Sequence, residues 1–301
     1  MEKVLLTGIT GYIGQHCAAE LLSQGYEVLG TFRSKAKADA TKSAIAKVTS
    51  TEKLSFVELD LMSDTGWSEA MKDCQFVIHM ASPFFLKEPV NENELIEPAV
   101  QGTLRVIEAA KKAGIKRLVL TSSGAYAKSK TLAERAAWVA VKDSKMELTV
   151  INPGAVFGPS LQADDGQNMT MMRDMIAGKV PMYPDMAMGM IDVRDVAKLH
   201  AAALTANDAA GKRFIACSEE PIEMGTLCGV LKNAGYKKAP SIKAPTFLLR
   251  IVSLFDREAK GMMPFIGKKA SYDISATLNI LKWKPTDMPT SFKEMAASIS
   301  K

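Results

Sequence analysis

The sequence contains few of the residues from which disulfide frameworks and metal sites are built. Among its 301 residues are four cysteines and three histidines. The cysteines are scattered and form no CxxC pair, so neither a disulfide framework nor a zinc site is indicated. The histidines lie far apart and show no metal-ligand spacing. We therefore expect no metal ion, and a reducing, cytoplasmic environment.

Long apolar runs and a strong charge bias are absent as well. No apolar run reaches membrane length, and we expect no signal peptide because the first strand pattern begins almost at Met1. The net charge of +5 is too diffuse to indicate nucleic-acid binding. With 47% hydrophobic residues the chain can bury a large core. These values predict a globular protein. We expect a small-molecule substrate, no nucleic-acid or membrane partner, and a monomer or a homodimer.

The first fourteen residues have the pattern of a dinucleotide-binding turn. Val4 to Leu6 are apolar, as in a strand that is covered on both faces. Of the glycines that follow, the first permits a sharp turn, the second lets the backbone approach a pyrophosphate, and the third lets a helix pack closely. That helix directs free N–H groups at the phosphates and is expected to stop at Gly25. The predicted cofactor contacts here are Thr7, Gly8, Gly11, Tyr12, Ile13 and Gly14.

The second predicted strand, Glu27 to Phe32, is not followed by the acidic residue that binds the ribose 2′-hydroxyl in NAD enzymes. Arg33 stands there instead, with Lys35 and Lys37 just beyond. A guanidinium pairs with a 2′-phosphate, which a carboxylate would repel. The pattern therefore predicts NADP(H), with Arg33 as the main ligand, Lys37 less important and Lys35 least.

The alternation of strands and helices continues and predicts an α/β fold, a Rossmann-type doubly wound parallel sheet. Ala81 and Ser82 leave the fourth strand at the edge where ligands bind in such sheets, while His79 within that strand is expected to be a core residue. Phe84 is a candidate for the wall of a substrate pocket, although it could equally pack under a loop.

The fifth predicted strand ends in Thr121-Ser122-Ser123, and a stretch of helix formers begins soon after it. Tyr126 and Lys130 are four residues apart and share one helix face. A tyrosine with a cationic neighbour can donate a proton near neutrality, and Ser123 can hydrogen-bond a carbonyl oxygen. These three residues are the predicted catalytic group, and Ser123 and Tyr126 also contact the substrate.

Several of these segments together resemble one family. The spacing TGxxGxxG at Thr7 to Gly14, TSS, YAKSK, TLAERAAW and the PGxVxGP-like turn after Asn152 are similar to the dihydroflavonol 4-reductase-like group of extended short-chain dehydrogenase/reductases, within the NAD-dependent epimerase/dehydratase superfamily. The resemblance covers nearly the whole chain. It implies an NADPH-dependent reductase of an aldehyde or ketone, with a smaller C-terminal substrate lobe.

The resemblance also implies further site residues and a division of the chain. Residues 1–158 would form the NADP-binding domain, to which later segments can return, and residues 159–301 mainly the substrate lobe. Lys130 would also bond the nicotinamide ribose, and Asp60 and Leu61 would lie beside the adenine. The remaining implied cofactor contacts are Pro153, Gly154 and Val156.

Two alternatives share the fold. A sugar-nucleotide epimerase or dehydratase also uses the Tyr-Lys pair, but it would require an acidic residue where Arg33 stands. A non-catalytic nucleotide-sensing relative would often lack the tyrosine or the lysine, and this chain has both.

One stretch departs from the family pattern. Only Gly124 and Ala125 separate Ser123 from Tyr126, where the family usually has a loop of some tens of residues. Three Cα–Cα steps of about 3.8 Å barely span the roughly 10 Å from a sheet to its helix layer. We therefore predict that the numbered sequence omits a loop, with the break at Ser123–Gly124 or Gly124–Ala125.

Overall fold

The computed structural model describes residues 2–82, 93–124, 128–162 and 166–300, and these form two compact units. The units are built from interleaved segments of the chain. The first comprises Met1–Pro153, Arg194–Ala216 and Ser275–Trp283, and the second comprises Gly154–Val193, Cys217–Ile274 and Lys284–Lys301.

The first unit is organised around a parallel seven-stranded sheet with the order β11-β6-β5-β4-β1-β2-β3. The chain runs outward from β1 to β3 and then returns to the other side of β1, so the strand order reverses between β1 and β4. Ligands of open parallel sheets bind at the carboxyl ends of the strands at this kind of point. The strands are β1 Lys3–Thr7, β2 Glu27–Phe32, β3 Leu54–Glu58, β4 Phe76–His79, β5 Arg117–Thr121, β6 Glu147–Pro153 and β11 Arg213–Ala216.

Helices follow the strands of this unit as the alternating pattern predicts. They are α1 Tyr12–Ser23, α2 Lys35–Ile45, α3 Trp67–Met71, α4 Asn93–Ala113, α5 Lys128–Val141, α7 Val193–Thr205 and α11 Ser275–Ile280; Val193 itself belongs to the second unit. A buried apolar cluster joins the sheet to α3, α4 and α5, with Leu5, Trp67, Val106 and Ala137 among its members. The prediction of a Rossmann-type α/β fold is confirmed.

Local sequence signals account for where several helices end. Gly25, just beyond α1, has a φ of +91°, and Gly114, just beyond α4, has a φ of +72°. Both lie in the left-handed region that glycine enters at little cost, and the stop predicted at Gly25 is observed. The last helix begins at Met288, because the Asp287 carboxylate accepts the Thr290 N–H at 3.0 Å and caps it.

The second unit has short strands and helices around its own core. Phe157 and Phe292 meet edge-to-face there, with ring centroids 5.1 Å apart. Within the described ranges, no helix of either unit has the length and apolar character needed to cross a membrane. The elements are β7 Ala155–Phe157, α6 Gln167–Ala177, β8 Met182–Tyr183, β9 Ala187–Met188, β10 Met190–Asp192, β12 Ile222–Glu223, α8 Met224–Asn233, β13 Ile242–Lys243, α9 Thr246–Val252, α10 Arg257–Met262 and α12 Met288–Ile299.

Candidate active site

The glycine turn between β1 and α1 has the close contacts that its sequence predicts. Gly8 has a φ of +76°, and a Cβ there would lie 2.9 Å from Ala81 N. A Cβ on Gly14 would lie 2.1 Å from Gly8 O, so the helix packs against the turn only because residue 14 is glycine. Around Gly11 a Cβ would meet only Gly8 O, at 3.4 Å, which leaves room for a ligand. The first turn of α1 carries no acidic residue that would repel a pyrophosphate.

Thr7, a predicted cofactor contact, uses its hydroxyl inside the protein. Thr7 Oγ1 accepts the N–H groups of Met80 and Ala81, each at 3.1 Å, and lies 2.8 Å from His79 Nδ1. Because both of its lone pairs are occupied, the hydroxyl donates its proton to Nδ1. His79 is then a neutral imidazole with its proton on Nε2, which lies 3.4 Å from Thr103 Oγ1. Burial, with a smaller effect of the Lys130 charge, lowers the pKa of His79 to about 3.

The basic residues after β2 differ in what they contact. Arg33 is exposed, and its guanidinium has no hydrogen bond or ion pair within the described ranges. Lys35 pairs with Asp39 at 3.0 Å. Lys37 is exposed and, in the same part of the chain, makes no ion pair. The predicted ranking of the three residues as ligands of a 2′-phosphate stays a prediction.

The loop after β3 carries the residues expected beside the adenine. Asp60 is exposed, and its carboxylate accepts the Met62 N–H at 2.9 Å, which closes a local turn. Leu61 packs against α4 at Gly102, where a Cβ would lie 3.2 Å from Leu61 Cβ. Trp67 Nε1, at the start of α3, donates to Asp60 O at 3.2 Å and attaches the loop to that helix. Both residues therefore have a structural role whether or not they contact a cofactor.

The predicted serine and lysine both lie near the carboxyl end of β5. Ser123 is half-buried, and its carbonyl oxygen lies 3.4 Å from Asn152 Nδ2. Lys130 reaches back from α5, with its Nζ 3.5 Å from Thr121 O. Lys130 keeps some exposed surface, but burial around its ammonium group lowers its pKa from the usual value to about 8. Tyr126 and Phe84 lie outside the described residues.

A second buried histidine supports this strand end. His200 Nδ1 donates to Val196 O at 2.7 Å, so its Nε2 is an acceptor and takes the proton of the Thr121 hydroxyl at 2.8 Å. Burial lowers the pKa of His200 to about 4. Both histidines are therefore neutral at pH 7. Among the described residues no group of histidines, cysteines and carboxylates could hold a metal ion.

Glu134 is a charged residue of this region that was not predicted from the sequence. It follows Lys130 by one turn of α5 and is buried, although glutamate is rarely buried unless it is paired. Its position four residues after Lys130 on the same helix face was the available signal. Because glutamate is a polar residue, the apolar pattern of the helix did not indicate that position 134 is buried.

The other predicted cofactor contacts are divided between the two units. Ala81 and Ser82 are half-buried at the end of β4, and Pro153 ends β6. Gly154 and Val156 belong to the second unit. A Cβ on Gly154 would lie 2.3 Å from Gly189 O, so glycine is required for packing within that unit.

The family of the chain is decided by comparison with known proteins. The model of the NAD dependent epimerase/dehydratase family matches residues 4–125 and 122–217. The chain belongs to this family. The family resemblance predicted from the sequence is therefore confirmed.

Relatives within the family are named reductases. Tetraketide alpha-pyrone reductase 1 of Arabidopsis thaliana is 31% identical, over 84% of this chain and 87% of its own length. Dihydroflavonol 4-reductase of Zea mays is 29% identical, over 76% of this chain and 73% of its own length. The prediction of an oxidoreductase is confirmed.

Solved structures give the same fold. A yeast methylglyoxal/isovaleraldehyde reductase complexed with NADPH has a TM-score of 0.81 and 25% identity, and the match covers 99% of this chain and 98% of the reductase. UDP-glucuronic acid 4-epimerase of Bacillus cereus, at 17% identity, has a TM-score of 0.77 over 99% of both chains. That second likeness concerns the fold alone.

The family comparison also bears on the short connection after β5. The two matched segments meet at residues 122–125, so the family pattern is interrupted there. The alignment with the Arabidopsis relative is 291 positions long but covers only 84% of this chain's 301 residues. The relative therefore has residues without a counterpart here. Both observations agree with a loop missing between Ser123 and Tyr126. Residues 125–127 lie outside the described ranges, and the predicted break stays a prediction.

Proposed function

We propose that the protein is an NADPH-dependent reductase that converts an aldehyde or ketone to the alcohol. The observation that carries this proposal is the unpaired Arg33 guanidinium at the end of β2, in a member of a family whose relatives are named reductases. The NADP(H) prediction agrees with the NADPH found in solved reductases of the same fold. Related reductases are named for small carbonyl compounds, methylglyoxal and isovaleraldehyde.

The chain's residues fit the cofactor at three places. The first turn of α1 offers N–H groups to the pyrophosphate, with open space beside Gly11. Arg33 and Lys37 are free to pair with a 2′-phosphate, and Lys130 has an ammonium group at the edge where the nicotinamide ribose would lie. Bound NADPH supplies the hydride.

The proton is the protein's contribution. In our proposal Tyr126 donates it to the developing alkoxide, and Ser123 hydrogen-bonds the carbonyl oxygen, which becomes negatively charged as the hydride arrives. The ordinary tyrosine pKa of about 10 has to fall for this step, and a cation favours the ionised phenol. Lys130 is the proposed cation, since it follows Tyr126 by four residues in the sequence.

The epimerase alternative has less support. It requires NAD that is retained through the reaction and an acidic residue after β2, and Arg33 occupies that position. The likeness to the Bacillus epimerase does not extend beyond the fold.

Loss of NADPH absorbance, followed with a panel of aldehydes, ketones and nucleotide sugars, tests the proposal. We expect consumption with some carbonyl compounds and none with nucleotide sugars. Tyr126→Phe should retain NADPH binding, while turnover falls by roughly 100-fold or more. If no carbonyl compound is reduced, or if Tyr126→Phe is as fast as the unchanged protein, the proposal is wrong.

A further inference from the structure

The Glu134 carboxylate of α5 collects hydrogen-bond donors from four parts of the first unit. Its Oε1 accepts from Arg213 Nε, in a short contact, and from Trp138 Nε1 at 3.3 Å. Its Oε2 accepts from Arg213 Nη2 at 3.3 Å and from Asn152 Nδ2 at 3.1 Å. The Ser122 hydroxyl donates to the same carboxylate.

These donors keep the carboxylate charged. Burial alone would raise the pKa of Glu134, but the hydrogen bonds, that of Arg213 foremost, hold it below its usual value. The Arg213 side chain is 58% exposed, whereas that of Glu134 is 6% exposed. The ion pair with Arg213 is therefore partly solvated, and the bonds to Asn152 and Ser122 are the ones directed into the protein.

Those two inward bonds lead to the predicted catalytic serine. The Asn152 amide group gives one hydrogen to Glu134 and directs the other at Ser123 O, at 3.4 Å. Two acceptors around Nδ2 define the orientation of this amide. Asn152 Oδ1 is buried and has no hydrogen-bond partner among the described residues, so the orientation of the amide depends on the hydrogen bonds of Nδ2. Ser122, directly before Ser123, is bonded to Glu134 itself.

The same carboxylate fixes the helix that carries Lys130. Glu134 lies one turn after Lys130, and its bonds to Asn152 of β6 and Arg213 of β11 attach α5 to two strands of the sheet. The backbone beyond β5 is attached to β6 as well, because Ser122 N–H donates to Ile151 O at 2.9 Å and Gly124 N–H donates to Pro153 O at 2.7 Å. One residue thus connects both halves of the predicted catalytic group.

We propose that Glu134 is a positioning residue that sets the Ser122–Gly124 turn and α5 in register for catalysis. This inference rests on the proposed reductase function for its kinetic consequences, but its structural consequence is independent of any activity.

Glu134→Gln tests the proposal with little change of shape. Each carboxylate oxygen accepts from at least two donors, so the NH₂ group of glutamine opposes a donor whichever way it turns. Amide hydrogen exchange of Ser122 and Gly124 should accelerate by about tenfold or more, the equivalent of one charge-assisted hydrogen bond. The kcat for carbonyl reduction should fall by a similar factor, while the KM for NADPH stays within about twofold.

Trp138→Phe is the matched control, because it removes one donor to Oε1 and leaves the bonds to Asn152 and Ser122 in place. It should leave both the exchange of the turn and the kcat within about threefold of the unchanged protein. If Glu134→Gln behaves like this control, the positioning role is wrong. If the unchanged protein reduces no carbonyl compound, the proposed function fails, and the exchange measurement alone decides on Glu134.

A second variant covers the case in which Glu134→Gln does not fold. Ser122→Ala removes only the donor from the turn and leaves the Arg213 pair and the Asn152 bond. Exchange at Gly124 should still rise, and unchanged exchange there would overturn the proposal.

Discussion

Neighbouring basic residues after β2 differ in their ion-pair partners. Lys35 is already paired with Asp39, whereas Arg33 has no partner within the described ranges. The sequence alone ranked these residues by position and by the chemistry of the guanidinium. The Lys35–Asp39 pair is exposed and adds little stability, so the guanidinium chemistry of Arg33 remains the main ground for the proposed ranking.

Arg33→Ala should therefore weaken NADPH binding by about tenfold or more, the effect of one lost charge-assisted pair. NADH binding should hardly change, because NADH has no 2′-phosphate. Titration of cofactor fluorescence measures both affinities, and Lys35→Ala is the control that should change neither by more than about twofold. Equal affinities of the unchanged protein for the two cofactors would contradict the assignment.

Lys130 shows a conflict between stability and function in one side chain. Its pKa is lowered to about 8 by burial, from 10.5 in the unfolded chain. Between these values the unfolded state binds more protons than the folded state, so the free energy of unfolding contributed by Lys130 rises with pH from about 8 to 10.5. Below pH 8 the folded protein carries the full cost of the buried charge.

Lys130→Met should accordingly raise the stability of the cofactor-free protein at pH 7 by about 1 kcal/mol or more, and abolish turnover. The stabilisation should shrink as the pH approaches 10, because the lysine of the unchanged protein is then neutral when folded. Urea unfolding at pH 7, 8.5 and 10 measures this difference. A variant that is less stable at every pH would show that the lysine is adequately paired.

At the scale of single elements, glycine is required in some places and is incidental in others. The turn between β1 and α1 was predictable because its glycines follow an apolar strand and precede a helix at fixed spacing. The hydroxyl of Thr7 was not predicted to be used internally, since its partners His79, Met80 and Ala81 are more than seventy residues away in the sequence. The partners of Glu134 were not predicted either, since Asn152 and Arg213 lie 18 and 79 residues further along the chain.

Gly14→Ala should destabilise the protein by about 3 kcal/mol or more, because its Cβ would lie 2.1 Å from the Gly8 carbonyl oxygen and α1 would have to move. Gly229 of α8 is the matched case, since a Cβ there meets nothing within 4 Å. Gly229→Ala should stabilise the protein by about 0.5–1 kcal/mol, through the better helix propensity of alanine. Thermal unfolding of both variants gives the comparison, and similar effects of the two would contradict this account of Gly14.

At the scale of the whole molecule, the order of the chain differs from the order of its units. The strand and helix patterns indicated a parallel sheet, and the sequence analysis placed the main division at residue 158, with later segments able to return. The structure shows two returns to the first unit, Arg194–Ala216 and Ser275–Trp283. No linker or change of composition marks these returns in the sequence. β11 pairs with β6 through backbone hydrogen bonds, which any apolar strand could form, so its residues do not reveal the pairing. The assignment of the units to cofactor and substrate stays a prediction.

The four cysteines are all buried and unpaired, two in each unit: Cys17 and Cys74 in the first, Cys217 and Cys228 in the second. Burial raises the pKa of Cys74 and of Cys228 to about 11 and that of Cys217 to about 12, and raises the pKa of Cys17 well above its usual value. A thiol reagent reacts with an exposed thiolate, so alkylation of the native protein requires local or global opening.

Alkylation followed by mass spectrometry therefore measures the opening of each unit separately. In the native protein all four thiols should react slowly, and in rising urea the two thiols of one unit should become reactive together. If Cys17 and Cys74 react at a lower urea concentration than Cys217 and Cys228, the sheet opens while the second unit stays closed. Added NADPH should then slow only the first pair, which would make thiol reactivity a measure of cofactor binding that requires no substrate.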